Sequence, residues 1–270
     1  MDDQLRREPD ESRVTGDYQD VADSLAWDQI GQDQSWARRG SDIQHGERRY
    51  LDARPAVNNV CPQIPSWRCA TVLTVDEQKN RLLERFLDLL YAEPKRLNLT
   101  RVQPEDAWTR HVQESLDLIP MRTWSPGERV IDLGSGAGFP GIPLAIALPH
   151  LQLVLIERDQ AKAAFLLSAL GRLHLTGVQV LAGDASELLR RPDFEAGDVL
   201  VSRAALPVPK LLALAAQLLG SGGEGLVHVG KSVAVDEDLQ RLAARRGLGN
   251  LTLVRSGRIR VLRFTRQADR

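Results

Sequence analysis

Thiols are scarce in this 270-residue chain, which has only Cys61 and Cys69. With no histidine beside them they cannot complete a zinc site, which wants four ligands, so they read as two reduced thiols. Long apolar runs are also missing. A helix crossing a bilayer needs about 20 predominantly apolar residues, and no segment approaches that. The opening Met1-Asp2-Asp3 lacks the apolar core of a secretory signal and is too acidic for an organellar transit peptide. Internal repeats are absent. Charge of one sign is lacking too, since the formal net charge is −1. Its distribution is uneven, however. Residues 1–60 hold 13 acidic and 8 basic side chains, which leaves a mildly basic body that is compatible with an RNA partner. The remaining composition, 43% hydrophobic and 26% charged, suits one globular domain with an appendage.

Residues 1–72 show neither helical nor strand periodicity and are expected to form a disordered or loosely ordered leader. Residues 73–122 read as a small helical module. In it, Val75–Tyr91 aligns Leu82, Leu83, Phe86, Leu89 and Leu90, and Pro104–Leu118 aligns Trp108, Val112, Ser115 and Leu116. From residue 123 to residue 270 the pattern alternates. Short apolar runs at Val130–Leu133, Leu151–Ile156, Gln179–Ala182, Val199–Ser202 and Gly225–Val229 are predicted strands. The segments between them, Pro143–Leu148, Gln160–His174, Pro207–Leu219 and Asp236–Arg246, are predicted helices. Such alternation predicts a doubly wound α/β fold with a mostly parallel sheet covered on both faces. Leu251–Arg255 and Ile259–Arg266 flank Ser256-Gly257-Arg258, so the tail reads as an antiparallel hairpin. A mostly parallel sheet ending in a hairpin is typical of class I methyltransferases.

The most informative segment is Asp132-Leu133-Gly134-Ser135-Gly136-Ala137-Gly138-Phe139-Pro140-Gly141, between a predicted strand and a predicted helix. Glycines there let the backbone turn sharply and approach a ligand closely. Dinucleotide-binding folds use a similar loop but want glycine at the sixth position, where this chain has Phe139. The acid two residues before the first glycine fits S-adenosylmethionine enzymes better. Glu157 ends the next strand, where a carboxylate can accept hydrogen bonds from both ribose hydroxyls. Asp184-Ala185-Ser186 ends the third strand. Its backbone can read a purine edge, and Asp184 can also cap a helix starting at Ser186.

Flanking segments extend this reading. They are Asn98-Leu99-Thr100, Arg110-His111 with Ser115-Leu116 beyond, Lys162 with Phe165-Leu166, and Ser202-Arg203-Ala204. With the continuation Gly138-Phe139-Pro140-Gly141-Ile142-Pro143-Leu144-Ala145, they resemble the RsmG (GidB) family of small-subunit (16S) ribosomal RNA guanine-N7 methyltransferases. The resemblance runs from about Val75 to Arg266. It implies a class I, Rossmann-like fold with a seven-stranded sheet and S-adenosylmethionine as cofactor, contacted by Gly134, Gly136, Phe139, Glu157, Ala185, Ser186 and Arg203. It further implies an RNA face containing Arg110, His111, Lys162 and Lys231. A small-subunit ribosomal RNA or particle would be the partner, and a cytoplasmic monomer without metal or membrane is expected, with a plastid or other organelle as the alternative compartment. Several positions depart from the family pattern: Glu93-Pro94 precede the Asn-Leu-Thr segment where the family often has Trp-Asn, and Glu114, Ala161, Ser186 and Ser232 replace family residues. These changes touch the RNA side more than the cofactor loop.

Guanine N7 carries an in-plane lone pair and no proton, so its methylation needs alignment rather than a general base. The chain accordingly has no obvious catalytic dyad. Two other readings remain open on the sequence: a methyltransferase acting on a protein or small molecule, and a cofactor-binding ribosome-assembly factor without transfer activity.

Overall fold

The central strands of the sheet send alternate residues into one of two apolar layers, and this alternation organises the molecule. The computed structural model describes residues 76–203 and 205–268. The expectations for residues 1–72, including both cysteines, lie outside the described residues.

Helix α1 (Glu77–Ala92) is capped by Asp76, whose carboxylate accepts from the Lys79 amide at 2.9 Å. It buries Leu83, Phe86, Leu89 and Leu90, with Leu82 partly covered. The next helical stretch is not one regular helix. It begins as α2 (Pro104–Ala107), widens into a π-helical turn over Trp108–Gln113, and resumes as α3 (Glu114–Leu116). Such widened turns are frequent at functional sites. This one buries His111 and Val112 together, and the Ser115 hydroxyl donates back to the His111 carbonyl at 2.6 Å.

Besides short 3₁₀ turns at Lys95–Leu97 and Ile119–Met121, the remaining elements are β1 (Arg129–Leu133), α4 (Gly141–Ala147), β2 (Gln152–Glu157), α5 (Gln160–Leu173), β3 (Val178–Ala182), α6 (Ala185–Leu188), β4 (Gly197–Arg203), α7 (Val208–Leu218), β5 (Leu219–His228), α8 (Glu237–Arg245), β6 (Leu248–Ser256) and β7 (Ile259–Arg266). They build one seven-stranded sheet in the order β3-β2-β1-β4-β5-β7-β6. β1 to β5 are parallel, and β7 runs antiparallel to β5 and to β6. The order reverses between β2-β1 and β4, at the carboxyl ends of the strands where open α/β sheets bind ligands.

Val130, Leu153, Leu155, Val199, Val201, Leu226 and Val261 face a layer that includes residues of α1, the π turn, α4 and α5. Ile131, Val154, Ile156, Leu200, Val227 and Leu262 face the opposite layer, which includes residues of α6, α7 and α8. The period of two and the burial on both faces explain why these strands read as continuous apolar runs. The helical module thus shares one core with the sheet.

Several strands run longer than the sequence predicts, β5 and β6 by the most. β5 starts at Leu219 rather than near Gly225, and β6 starts at Leu248 rather than Leu251. The added residues include Gly220, Gly222 and Gly223 in β5 and Gly249-Asn250 in β6, which locally read as turn. Pairing at Leu219 and Glu224 and at Gly249 and Thr252 holds the ends of these segments in the sheet, while the residues between are carried as irregularities at Gly197/Val199 and Gly249/Thr252.

Candidate active site

The loop after β1 is tied to the end of β2. The Gly134 and Ser135 amides both donate to the Ile156 carbonyl, at 2.9 and 3.1 Å. Gly134 and Gly138 take φ of +71° and +96°, a region that favours residues without a Cβ. A Cβ on Gly134 would overlap that of Ala205, and one on Gly138 would lie 2.7 Å from the Ile142 Cδ1 atom. Gly134 and Gly136 present bare backbone to a hollow of about 550 Å³. Glu157, 6% exposed, stands at its side. Its Oε2 accepts from the Gly136 amide and its Oε1 from the Asp159 amide, both at 2.8 Å. Each oxygen keeps accepting capacity for a hydroxyl.

Asp132, two residues before the first glycine, is fully buried. Its Oδ2 accepts from the Gly141 amide at 2.9 Å and so braces the start of α4, while Oδ1 has no partner among the described residues. Burial pushes its pKa from 3.8 up to about 7, opposed by the Gly141 amide. A folded-state pKa above the unfolded value means that its contribution to stability is complete below pH 4 and is lost as the pH rises through about 7. Asp132→Asn keeps an acceptor for Gly141 and cannot ionise. Thermal melts from pH 4 to 8 should show the native protein losing roughly 2–4 kcal/mol relative to this variant. Parallel curves for the two proteins would refute a protonated Asp132.

The wall of the hollow is a stack. Phe139 lies face to face with His111 (4.3 Å, 11° between planes), tilts against Phe86 at 5.1 Å, and carries the Arg203 guanidinium 5.2 Å from its ring centre. Arg203 donates to the Arg110 carbonyl at 2.7 Å and approaches His111 Nδ1 at 2.9 Å. A guanidinium can only donate, so Nδ1 is the acceptor and the ring proton sits on Nε2, which faces Thr100 Oγ1 at 2.7 Å. The same Oγ1 accepts from the Val102 amide, which leaves the Thr100 hydroxyl hydrogen for another acceptor. Burial and then the charges of Arg203 and Arg110 lower the His111 pKa to about 4, so the ring is neutral near pH 7. Burial likewise lowers the pKa of Arg203.

The sequence-derived residues divide between two hollows. Gly134, Gly136, Phe139, Glu157, Ala185, Arg203 and Lys162 line the first. Ser186 is exposed and outside this lining. Its amide donates to Asp184 Oδ1 at 2.8 Å, so Asp184 caps α6 while also lining the hollow. Arg110 and Lys231 line a second hollow of about 640 Å³, and His111 and Arg203 border both. His111 is 4% exposed with both ring nitrogens engaged, so it presents no nitrogen to solvent. Sequence reasoning missed His228, the register partner of Arg203 across β4 and β5. It is buried with Nε2 unpartnered among the described residues, and burial holds its pKa down at about 3. It also missed the Asn98–Val102 wall as a structural unit and the arginines of the β6–β7 hairpin. The first had a signal in Asn98-Leu99-Thr100, while the second had none beyond the charge itself.

The first hollow fits S-adenosylmethionine. Its volume suits a nucleoside with an amino-acid tail, Gly134 and Gly136 present bare backbone to it, and a carboxylate stands ready to accept from vicinal hydroxyls. No group of three metal-ligating side chains and no helix long and apolar enough to cross a membrane occurs among the described residues. Fold and site together define a class I S-adenosylmethionine-dependent methyltransferase.

Comparison with known proteins sharpens the class. A family model described as rRNA small subunit methyltransferase G (GidB) matches residues 79–246, and the chain belongs to this family. It is 37% identical over 171 residues to the ribosomal RNA small subunit methyltransferase G of Carboxydothermus hydrogenoformans, covering 63% of this chain and 72% of that protein. To the protein of the same name from Gloeobacter violaceus it is 36% identical, covering 64% and 70%. Among solved structures, a point mutant of MtNAS superposes with a TM-score of 0.50 at 15% identity, covering 72% and 79%, which is a likeness of fold.

Proposed function

We propose that the chain transfers a methyl group from S-adenosylmethionine to guanine N7 in small-subunit (16S) ribosomal RNA, acting as a monomer in the cytoplasm. The observation that carries the reading is a cofactor-sized hollow lined by the bare backbone of Gly134 and Gly136, walled by Phe139 and Arg203 and opening beside a cation-lined one. In this reading the leader, residues 1–72, precedes a helical module, 73–122, and a cofactor-binding domain, 123–270.

Bound S-adenosylmethionine supplies an electrophilic methyl on a sulfonium. The backbone of Gly134 and Gly136 would lie along it and Glu157 would accept from its ribose hydroxyls. The loop of Ala185 and Ser186 would border the adenine, Ser186 from outside the lining. Phe139 and Arg203 form the wall nearest the second hollow. The acceptor contributes its own lone pair, so the protein's work is to orient the purine, hold it unstacked and exclude water. His111 suits this division of labour: neutral, with both nitrogens engaged, it positions Arg203 and Thr100 rather than moving a proton. Lys162, beside Glu157, and Arg110 and Lys231, at the second hollow, offer phosphate contacts.

Nucleoside mass spectrometry of ribosomal RNA from cells with and without the gene tests the reading. N7-methylguanosine should fall when the gene is removed and return with the native chain. No change would remove the rRNA assignment and favour a protein or small-molecule acceptor, or an assembly factor without transfer activity.

A further inference from the structure

Behind the Arg203–His111 wall, the second hollow collects Arg110, Arg203, Lys231, Arg255, Arg258 and Arg260, with Glu114 the one carboxylate in its lining. These cations are not equivalent. Arg110 and Arg203 are turned to Glu114, at 3.0 and 3.8 Å. Arg260 donates to the Gly230 and Val233 carbonyls and braces the loop after β5. The side chains of Lys231, Arg255 and Arg258 are exposed and have no hydrogen bond or ion pair among the described residues. Three uncompensated charges on one concave rim attract a polyanion.

The rim is held in place. At the hairpin tip the Ser256 hydroxyl donates to the Asp117 carbonyl at 2.7 Å, and the Arg258 amide donates to Asp117 Oδ2 at 3.1 Å. Gly257 there has φ +51°, and any Cβ would press on the Asp117 carboxylate. The tip is therefore pinned beside the end of α3, which fixes the backbone of Arg258 in the turn and of Arg255 just before it. The floor between the cations is uncharged, made by Val229, Ile259 and the neutral His228 ring. Val102, His111 and Arg203 border both hollows, so they adjoin.

We propose that this second hollow seats the RNA strand itself, with phosphates flanking the target on Lys231, Arg255 and Arg258 and the unstacked base passing over Val229 toward Arg203. A cationic rim around an uncharged floor is the arrangement that single-stranded nucleic acid uses, with charge along the backbone and flat surface for bases. Free nucleotide is disfavoured because the three cations come from two chain segments spread along the rim. The proposal rests on the reading that ribosomal RNA is the substrate.

The test is the combined variant Lys231→Ala, Arg255→Ala, Arg258→Ala in the full chain, set against Arg81→Ala, Arg191→Ala, Arg241→Ala, which removes the same charge away from both hollows. The probe is small-subunit ribosomal RNA from cells lacking the gene. Affinity is measured over a salt series, alongside S-adenosylmethionine affinity and a thermal melt. The rim variant should bind RNA about 10- to 100-fold more weakly near 0.1 M salt. Its slope of log affinity against log salt should flatten by about two, close to the value for three single-strand phosphate contacts. Its S-adenosylmethionine affinity should stay within about three-fold, and the control variant should match the native chain in slope. RNA binding unchanged in the rim variant, or weakened equally in both variants, overturns the proposal alone. A native chain that binds no RNA overturns the substrate reading and this proposal with it.

Discussion

Gly134→Asp is expected to lose more than about 100-fold in S-adenosylmethionine affinity by calorimetry, with the fold retained. Three effects converge. The backbone at Gly134 has φ +71°, and forcing an ordinary residue there costs about 1–2 kcal/mol. The new Cβ would overlap the Cβ of Ala205, and neither atom belongs to a flexible side-chain end that could swing away. The loop must then shift, although the Gly134 and Ser135 amides hold it to Ile156 and Gly136 anchors Glu157. Finally, the added carboxylate brings bulk and negative charge to a hollow that Glu157 also lines. Gly136→Ala provides the contrast. Its Cβ would meet only the Gly134 carbonyl, at 4.0 Å, so conformational strain alone remains and a loss of roughly ten-fold is expected. A Gly134→Asp protein with native melting temperature and native affinity would show that the cofactor does not lie on this loop.

How much of this was legible follows from distance along the chain. The glycine loop and Glu157 act through local backbone geometry, and residues 132–141 carry nearly all of it. The strands were legible because burial on both faces leaves continuous apolar runs, as Leu153–Ile156 shows. Where pairing partners overrule local preference, the sequence misleads. The predicted strand begins only at Gly225, whereas β5 reaches back to Leu219 through pairing with Gly197. Gly225 itself lies in the predicted strand, and a Cβ there would run into the Phe264 ring across the strand pair. The π turn is invisible because it changes a helix by one residue of phase. His111 lies buried within it, with both ring nitrogens engaged. The second hollow is the least legible feature. Its residues come from the module near Arg110, from the ends of β4 and β5, and from a hairpin more than 140 residues beyond Arg110. Nothing in the spacing of Arg255, Arg258 and Arg260 announces that Asp117 will pin their turn beside Arg110.

Arg203 is where the two hollows meet, and its removal is the second large effect expected. Arg203→Ala deletes the donor to the Arg110 carbonyl and to His111 Nδ1, and it leaves Glu114 with Arg110 alone. It also strips a cation from the face of Phe139. If this wall orients the acceptor, a displacement of about 1 Å can cost about 100-fold, so methyl transfer to ribosomal RNA should fall by about 100-fold. Arg203→Lys should recover little, because an ammonium is a point donor and cannot span the Arg110 carbonyl and His111 together. Single-turnover rates at saturating cofactor and RNA isolate the transfer step. The structural share of the role has its own readout. With Arg203 gone, His111 loses the second of the causes that lower its pKa, while burial, the first, remains. Its pKa, followed by NMR of the imidazole ring, should rise from about 4 yet stay below 6.5. A His111 pKa that moves as expected while the transfer rate stays within about ten-fold of native would make Arg203 a brace for the wall and not part of the chemistry. Loss of both together ties the orientation of the wall to the methyl transfer step.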